Sequence, residues 1–416
     1  MNDEARNIGD IIREMAEQNP AIVVDLGGAD TFNKTMKKIN AFDTKFEETG
    51  KVFFSLGSTP METAAKFTEI HIEQYRDAAR PSLPALVKHH LDEIGLDSSS
   101  PHYKAAILVA ARAEIDLAKT PEYHNTNHYA DVTAHVAELL KRNNALANSN
   151  MPGAIKLSKE DMADSITAAV GHDLEHPGGK NNLPGQKAGE FDRYRLEEQS
   201  FQAMLPLMKE AGLPQKSIDD IHVMILTTSP DGPHSILKAV AKAHHEGNGV
   251  DWAKIDPDNK YPELKTLATD PKLSERAAIL EDSDLGASAF EGLKSNIKMS
   301  QVFTEELQSR DYRSMAGPNA GKLENLNGPH AREGFSKFVV GDGPASLAGQ
   351  DAVGQNYTEM RASTQKEIAA MTPPPAVTTT PPAASMFTAP KDDPKTVEPP
   401  VSLVRNTPKA NKFGMG

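Results

Sequence analysis

The sequence predicts an all-α protein, with a compact multi-helix region followed by a disordered, proline-rich C-terminal tail. Three observations support this prediction. Apolar residues recur at helical spacing over most of the chain, alternating apolar and polar residues are nearly absent, and aromatic residues make up only 6% of the 416 residues. A chain of this length exceeds what one compact core usually holds, so we expect one large domain with appendages, or two domains.

The first 64 residues are an N-terminal region whose structure the sequence leaves uncertain. A helix is expected over 5–18, because four apolar residues of this stretch share one helix face. The residues that follow are mixed in character and interrupted by glycines. A short strand at 22–26 or at 52–56 is an alternative that the sequence leaves open.

Residues 65–345 carry the strongest helical signal and are expected to form the main domain. Within 131–141, for example, four apolar residues have the spacing of a single helix face. Residues 346–371 are expected to be a C-terminal helix or a linker. Similar apolar patterns predict further helices over 103–118, 159–170, 199–211, 217–227, 235–244 and 273–280.

Residues 372–416 have a different composition and are predicted to be a disordered tail. Ten of the 29 prolines fall in these last 45 residues, and almost no periodic apolar face is present. Such a segment cannot bury enough surface to offset the entropy cost of ordering it. The tail is either a docking segment for a protein partner or a solvated extension without a role, and its composition favours the second.

Charge and cysteine content exclude several classes of function. The formal net charge of −13 argues against a nucleic-acid binder, which needs a cationic surface. Without cysteine, any transition metal must be held by histidine, aspartate or glutamate. The N-terminal residues lack the apolar core of a signal peptide and no apolar stretch is long enough to span a bilayer, so we expect a cytoplasmic protein without membrane contact.

Two histidine-rich segments point to a metal site. The first reads YHNTNHYADV over 123–132, and the second reads HDLEHPGGKN over 172–181. An adjacent histidine and aspartate at a helix end can direct a nitrogen and an oxygen to one cation, and a carboxylate can also bridge two cations. A further carboxylate is expected from Asp284, which follows an apolar helical run. We therefore predict convergence of His128, His172, Asp173 and Asp284.

These segments resemble the catalytic domain of class I cyclic nucleotide phosphodiesterases, within the HD-domain metal phosphohydrolases. That family shows Tyr-His-Asn-x-x-His-x-x-Asp-Val, then His-Asp-x-x-His-Pro-Gly followed shortly by Asn, and later Ala-Asp-Leu-Ser. The third segment is matched here by Ser-Asp-Leu-Gly at 283–286. The resemblance covers roughly 65–345 and implies a compact HD-type helical domain.

The resemblance also implies roles for individual residues. His128, His172, Asp173 and Asp284 would hold the tightly bound metal, usually zinc. Asp173 would bridge to a second metal, usually magnesium or manganese, and His124 would be the general acid. His176 and Glu197 would surround the second metal, and the substrate would contact Tyr123, Asn181, Arg332 and Phe335.

One departure from the family bears on the substrate. The family carries a glutamine two residues before Gly-Phe, where it grips the purine edge, whereas this chain reads Arg332-Glu333-Gly334-Phe335. Phe335 can still clamp a base. Arginine has only donors, so Arg332 suits an additional phosphate or carboxylate better than a purine edge.

The sequence therefore predicts a two-metal phosphodiesterase that hydrolyses cAMP or cGMP. Two alternatives stay open at this point. One is a domain that acts on another nucleotide or phosphoester, for which Arg332 is the motivation. The other is a scaffold that binds a nucleotide or a protein without catalysis. The complete set of predicted ligands and the retained acid His124 argue against the scaffold.

Overall fold

The structure is a computed structural model, and it describes residues 7–53, 82–115, 124–177, 181, 193–229, 234–284 and 343–353. All of these residues lie in the unit that spans Met1–Thr372. Every element in the described part of the chain is a helix, which confirms the predicted all-α fold class. The predicted tail lies outside the described residues. The domain boundaries proposed from the sequence stay predictions.

The N-terminal region begins with three helices: α1 (Ile8–Gln18), α2 (Ala21–Asp25) and α3 (Ala29–Phe53). The predicted first helix is confirmed, and Asn7 caps it by accepting a hydrogen bond from the Gly9 amide. The strand considered at 22–26 is wrong, because α2 occupies this stretch. The side chain of Asn19 accepts from the Ala21 amide at 3.2 Å, and Ile22 and Leu26 are buried. Packing thus overrides the strand preference of the adjacent valines.

The main domain consists of nine further α-helices and one 3₁₀ helix among the described residues. Each helix predicted between 103 and 280 corresponds to one of them, with ends that differ by a few residues and with 116–118 outside the described range. They are α4 (Leu83–Glu93), α5 (Pro101–Ile115), α6 (Thr126–Asn148), α7 (Lys159–Gly171), α8 (Arg195–Glu210), α9 (Gln215–Leu226), α10 (His234–His245), α11 (Trp252–Ile255), the 3₁₀ helix Pro262–Ala268 and α12 (Pro271–Asp284).

Helix α7 lies at the centre of the domain and contacts α5, α6, α9 and α12. A capping box at Ser158 and Asp161 fixes where it begins, since each side chain accepts a hydrogen bond from the other residue's amide. Its C-terminal end is fixed by close packing. A Cβ atom on Gly171 would lie 2.5 Å from Sδ of Met204 and 2.8 Å from Cγ1 of Val109, so a larger residue would push α7 away from α8 and α5.

Helix α12 is buried from Leu273 to Asp284, although seven of these twelve residues are polar or charged. Histidines of α10 lie beside two of these buried carboxylates and provide polar partners for them. His245 of α10 lies 2.6 Å from Glu275, and His234 at the other end of α10 lies 2.9 Å from Glu281. These pairs fix the position of α12, whose last residue is Asp284.

A short helix, α13 (Leu347–Val353), follows the main domain and packs on α6. The buried carboxylate of Asp282 holds the chain just before it, accepting hydrogen bonds from the amides of Ala345 at 2.8 Å and Ser346 at 2.9 Å. Part of the predicted helix or linker over 346–371 is therefore helical. None of the helices in the described part of the chain has the length and apolar character that a bilayer crossing needs.

Candidate metal centre

The predicted ligands come from the ends of three helices. His128 lies in the first turn of α6, His172 and Asp173 directly follow α7, and Asp284 ends α12. The sequence separates these residues widely, but α12 contacts both α6 and α7, so their ends meet. The structure thus brings together all four residues that the sequence analysis selected.

The ligand atoms lie at distances that suit one metal ion. Nε2 of His128 lies 3.3 Å from Oδ2 of Asp173 and 3.1 Å from Oδ1 of Asp284. Nε2 of His172 lies 3.1 Å and 3.5 Å from the same two oxygens. Tetrahedral ligands at about 2.0–2.2 Å from Zn²⁺ lie about 3.3–3.6 Å apart, so the residues present fit a metal. His128, His172 and Asp284 are also buried, which shields the site from bulk water.

The orientation of His172 is fixed by its other ring nitrogen. Nδ1 lies 2.8 Å from the carbonyl oxygen of Ala169. A carbonyl can only accept, so Nδ1 carries the proton and donates it. Nε2 takes no part in this hydrogen bond and faces the two carboxylates, which is the arrangement that histidine ligands commonly show.

The electrostatics of this group favour a cation. Burial lowers the pKa of His172, but Asp173 and Asp284 together raise it more, so that it lies well above its usual range. Burial raises the pKa of Asp173, but His172 and His124 hold it well below its usual range. The carboxyl of Asp284 is shifted downward in the same way. All three shifts have one cause, which is that carboxylates and imidazoles are held together away from water.

A second group lies beside the first and consists of His124, Asp173 and His176. The rings of His124 and His176 are stacked, with centroids 3.9 Å apart and planes inclined by 17°. His124 also meets the ring of His128 edge-on, with centroids 6.0 Å apart. Asp173 takes part in both groups and lies between them, as a carboxylate that bridges two cations would.

The turn after α7 places His172, Asp173 and His176 on the same side. The amide of Leu174 donates to the Gly171 carbonyl at 3.0 Å, and that of His176 donates to the Asp173 carbonyl at 2.9 Å. The hydroxyl of Tyr129 donates to the same Asp173 carbonyl at 2.6 Å and so ties the turn to α6. Tyr129 was not selected from the sequence, although its place one residue after His128 in a ligand motif is a usable signal.

Glu197 lies in the first turn of α8, and Asn181 holds its carboxylate. Nδ2 of Asn181 lies 3.1 Å and 2.9 Å from the two carboxylate oxygens and 3.2 Å from Oγ of Ser229. Burial, with a contribution from Asp173, raises the pKa of Glu197 to about 8. Ser229 is a further residue that sequence reasoning missed, because nothing in its local sequence marks it.

Three predicted substrate contacts, Tyr123, Arg332 and Phe335, lie outside the described residues. The geometry of the described site therefore concerns the candidate metal ligands and the candidate acid, and the contacts to the substrate's base stay predictions from the sequence.

Comparison with known proteins supports the resemblance found in the sequence. Residues 123–229 match the family model described as 3'5'-cyclic nucleotide phosphodiesterase. The matched part includes the two histidine motifs and Glu197, and it ends before Asp284. The chain matches no curated protein. The family match indicates a 3',5'-cyclic-nucleotide phosphodiesterase, which is a metal-dependent phosphoric diester hydrolase.

Proposed function

Since residues 123–229 match the cyclic nucleotide phosphodiesterase family, we propose that this chain hydrolyses the phosphodiester of cAMP or cGMP, with two divalent metals and His124 as general acid. One observation carries the proposal. The nitrogens of His128 and His172 lie 3.1–3.5 Å from oxygens of Asp173 and Asp284, and the His124 ring lies beside this group.

The donor set supports one assignment of metals. His128 and His172 supply two nitrogens, and Asp173 and Asp284 supply oxygens, which is a set that Zn²⁺ accepts readily. The second ion would have Asp173 as its protein oxygen and would otherwise keep water, as Mg²⁺ and Mn²⁺ do. When bound, two such ions neutralise the anionic phosphodiester and lower the pKa of a water, so that hydroxide is available near neutral pH.

His124 is suited to protonate the leaving oxygen. Alkoxides are poor leaving groups, and a histidine can donate a proton at neutral pH. The His124 ring stacks on His176, and neither residue belongs to the first group of His128, His172, Asp173 and Asp284. In this proposal His124 remains available for proton transfer while His128 and His172 are engaged as ligands.

Glu197 and Asn181 would act together near the second metal. The Asn181 amide donates to Glu197 and Ser229, and its oxygen accepts from the Leu196 amide at 2.9 Å. With its polar atoms engaged in this way, Asn181 would affect the substrate by orienting Glu197. The Glu197 carboxyl group would in turn form hydrogen bonds with waters around the second ion.

A hydrolysis screen with metal-replete protein tests the proposal. With Mg²⁺ or Mn²⁺, wild type should hydrolyse cAMP or cGMP, and His124→Ala should lower kcat by about 10²-fold or more, as loss of a general acid does. His222→Ala is a matched control, because His222 pairs with Glu198 and not with a predicted ligand. This variant should leave the rate unchanged. Absence of turnover of both nucleotides would overturn this function.

The same screen addresses a second substrate class, which the sequence favours through Arg332. A panel of other nucleotides and phosphoesters is compared between wild type and Arg332→Gln. If Arg332 binds an additional anionic group, the variant should lose activity on substrates that carry one and keep or gain activity on cyclic nucleotides. Equal effects on all substrates would exclude this second class.

A further inference from the structure

Glu175 has an unusual backbone conformation beside the candidate site. Its φ is +61°, in the left-handed region. Among the described residues other than glycine, only Asn150 and Asn259 share a positive φ, and asparagine tolerates this conformation better than glutamate does. A strained residue persists only where its surroundings hold it, and such residues occur often at active sites.

Side chains from two helices hold Glu175. Nε2 of Gln199, on α8, donates to the backbone carbonyl of Glu175 at 2.9 Å. Arg112, on α5, forms an ion pair with the Glu175 carboxylate. This carboxylate is partly exposed and the ion pair is near the surface, so the pair by itself contributes little to stability. The hydrogen bond from Gln199 acts on the backbone and therefore on the conformation of the turn itself.

The conformation of Glu175 determines where His176 lies. His176 is the next residue, and its amide closes the turn onto the Asp173 carbonyl. Its ring is the surface on which His124 stacks, at 3.9 Å between centroids. If Glu175 relaxed to a negative φ, the chain would leave the turn in another direction and the His176 ring would move away from His124.

We propose that Gln199 is a positioning residue for His124, acting through the strained Glu175 turn and the His176 ring. Its hydrogen bond keeps Glu175 in the left-handed conformation, which keeps His176 stacked on His124. This proposal rests on the proposed role of His124 as general acid. The hydrogen bond of Gln199 ends on the Glu175 backbone and not on His124 or a predicted metal ligand. In this proposal Gln199 therefore acts through the turn.

Gln199→Met tests the proposal, because methionine has a similar length and helix propensity but cannot donate. With metal-replete protein, we expect kcat to fall about five- to tenfold, the effect of losing one hydrogen bond that orients a catalytic group. KM and the metal content should stay unchanged. Glu198→Gln is the control at the neighbouring position. It removes a carboxylate that contacts His222 rather than Glu175, and it should leave kcat unchanged.

A second variant separates positioning from general damage to the fold. Glycine adopts positive φ at little cost, so Glu175→Gly removes the strain that Gln199 counteracts. The double variant Gln199→Met/Glu175→Gly should therefore recover kcat to within about threefold of wild type. A double variant as slow as Gln199→Met, or a Gln199→Met variant with unchanged kcat, would overturn the proposal.

A spectroscopic readout keeps the test independent of activity. In histidine-labelled protein, the ring protons of His124 and His176 should show ring-current shifts, which can be assigned with His124→Ala. Gln199→Met should reduce these shifts, and the double variant should restore them. Shifts that respond in this way support the positioning role even if wild type hydrolyses no cyclic nucleotide. Shifts that do not respond overturn it whatever the activity.

Discussion

Two groups of histidines and carboxylates in this protein use the same residue types but differ in charge. The first is the candidate metal centre of His128, His172, Asp173 and Asp284. The second, on α4, consists of His89, His90 and Glu93, whose ligand atoms also lie within 4.8 Å of one another. In the second group Nζ of Lys141 lies 3.2 Å from Oε2 of Glu93, whereas the basic side chains within 4 Å of Asp173 and Asp284 in the described part of the chain are histidines.

The pKa shifts of the histidines run in opposite directions in the two groups. Burial, together with His89 and Lys141, outweighs the hydrogen bond to Glu93 and lowers the pKa of His90 to about 4, so that His90 is neutral at pH 7. In the candidate metal centre two carboxylates raise the pKa values of His128 and His172 in spite of burial. The comparison teaches that ligand types and spacing alone do not define a metal site. We expect the charge of the surrounding groups to matter as well, because a lysine beside Glu93 competes with a cation for that carboxylate.

The largest expected effect is the loss of the metal and of activity in His172→Ala. Removing one ligand leaves an incomplete set for the buried ion, so bound metal should fall by one ion per chain. Hydrolysis should drop by more than about 10³-fold, since in the proposed mechanism the metals neutralise the charge of the phosphodiester. Elemental analysis of purified protein and the cyclic nucleotide assay measure the two quantities.

His89→Ala is the matched variant in the second group and should retain both metal and activity. Circular dichroism checks that both variants remain helical. If His89→Ala loses as much metal as His172→Ala, the distinction between the two groups is wrong.

An intermediate effect is expected for the pH dependence of the free energy of unfolding, which tests the low pKa of His90 in the second group. His90 takes up its proton near pH 6.5 in the unfolded chain but only near pH 4 in the folded protein. The stability that comes from keeping His90 neutral is therefore fully present above pH 6.5 and is lost as the pH falls towards 4. This loss reaches about 3 kcal/mol, since one pKa unit corresponds to about 1.4 kcal/mol.

His90→Gln removes this titration, so the free energy of unfolding should fall less steeply with acid than in wild type. Urea unfolding of EDTA-treated protein at several pH values between 7 and 4 measures the difference. Parallel pH profiles for wild type and His90→Gln would show that burial does not control this histidine.

The smallest effect is expected for Lys141→Met. The Lys141 ion pair with Glu93 lies near the surface, so its loss should cost less than about 1 kcal/mol in urea unfolding. The loss of this lysine also leaves the Glu93 carboxylate without its cation. The second group of the variant should therefore bind Ni²⁺ more tightly than the same group in wild type. Equilibrium dialysis with added Ni²⁺ measures this difference. Unchanged Ni²⁺ binding would show that Lys141 is not what separates the two groups.

Local patterns predicted the helices of the main domain well, because their apolar spacing repeats over several turns. Prediction failed at 22–26, where the apolar run is too short to distinguish a strand from one helical turn and tertiary packing decided. His234 and His245 showed no partners in sequence. The structure pairs them with Glu281 and Glu275 of α12, which are 47 and 30 positions away.

The sequence by itself predicted the all-α class, the resemblance to the phosphodiesterase family over 123–229 and the candidate ligands. Helical periodicity is a local property, and the ligands lie in two short motifs and one acidic helix end. Only the tertiary structure decided that Asp284 meets His128 and His172, that Lys141 balances Glu93, and that Gln199 holds the Glu175 turn. These contacts join residues far apart in the chain, and their distances and net charge arise from the packing of α5, α6, α7, α8 and α12, which no local pattern encodes.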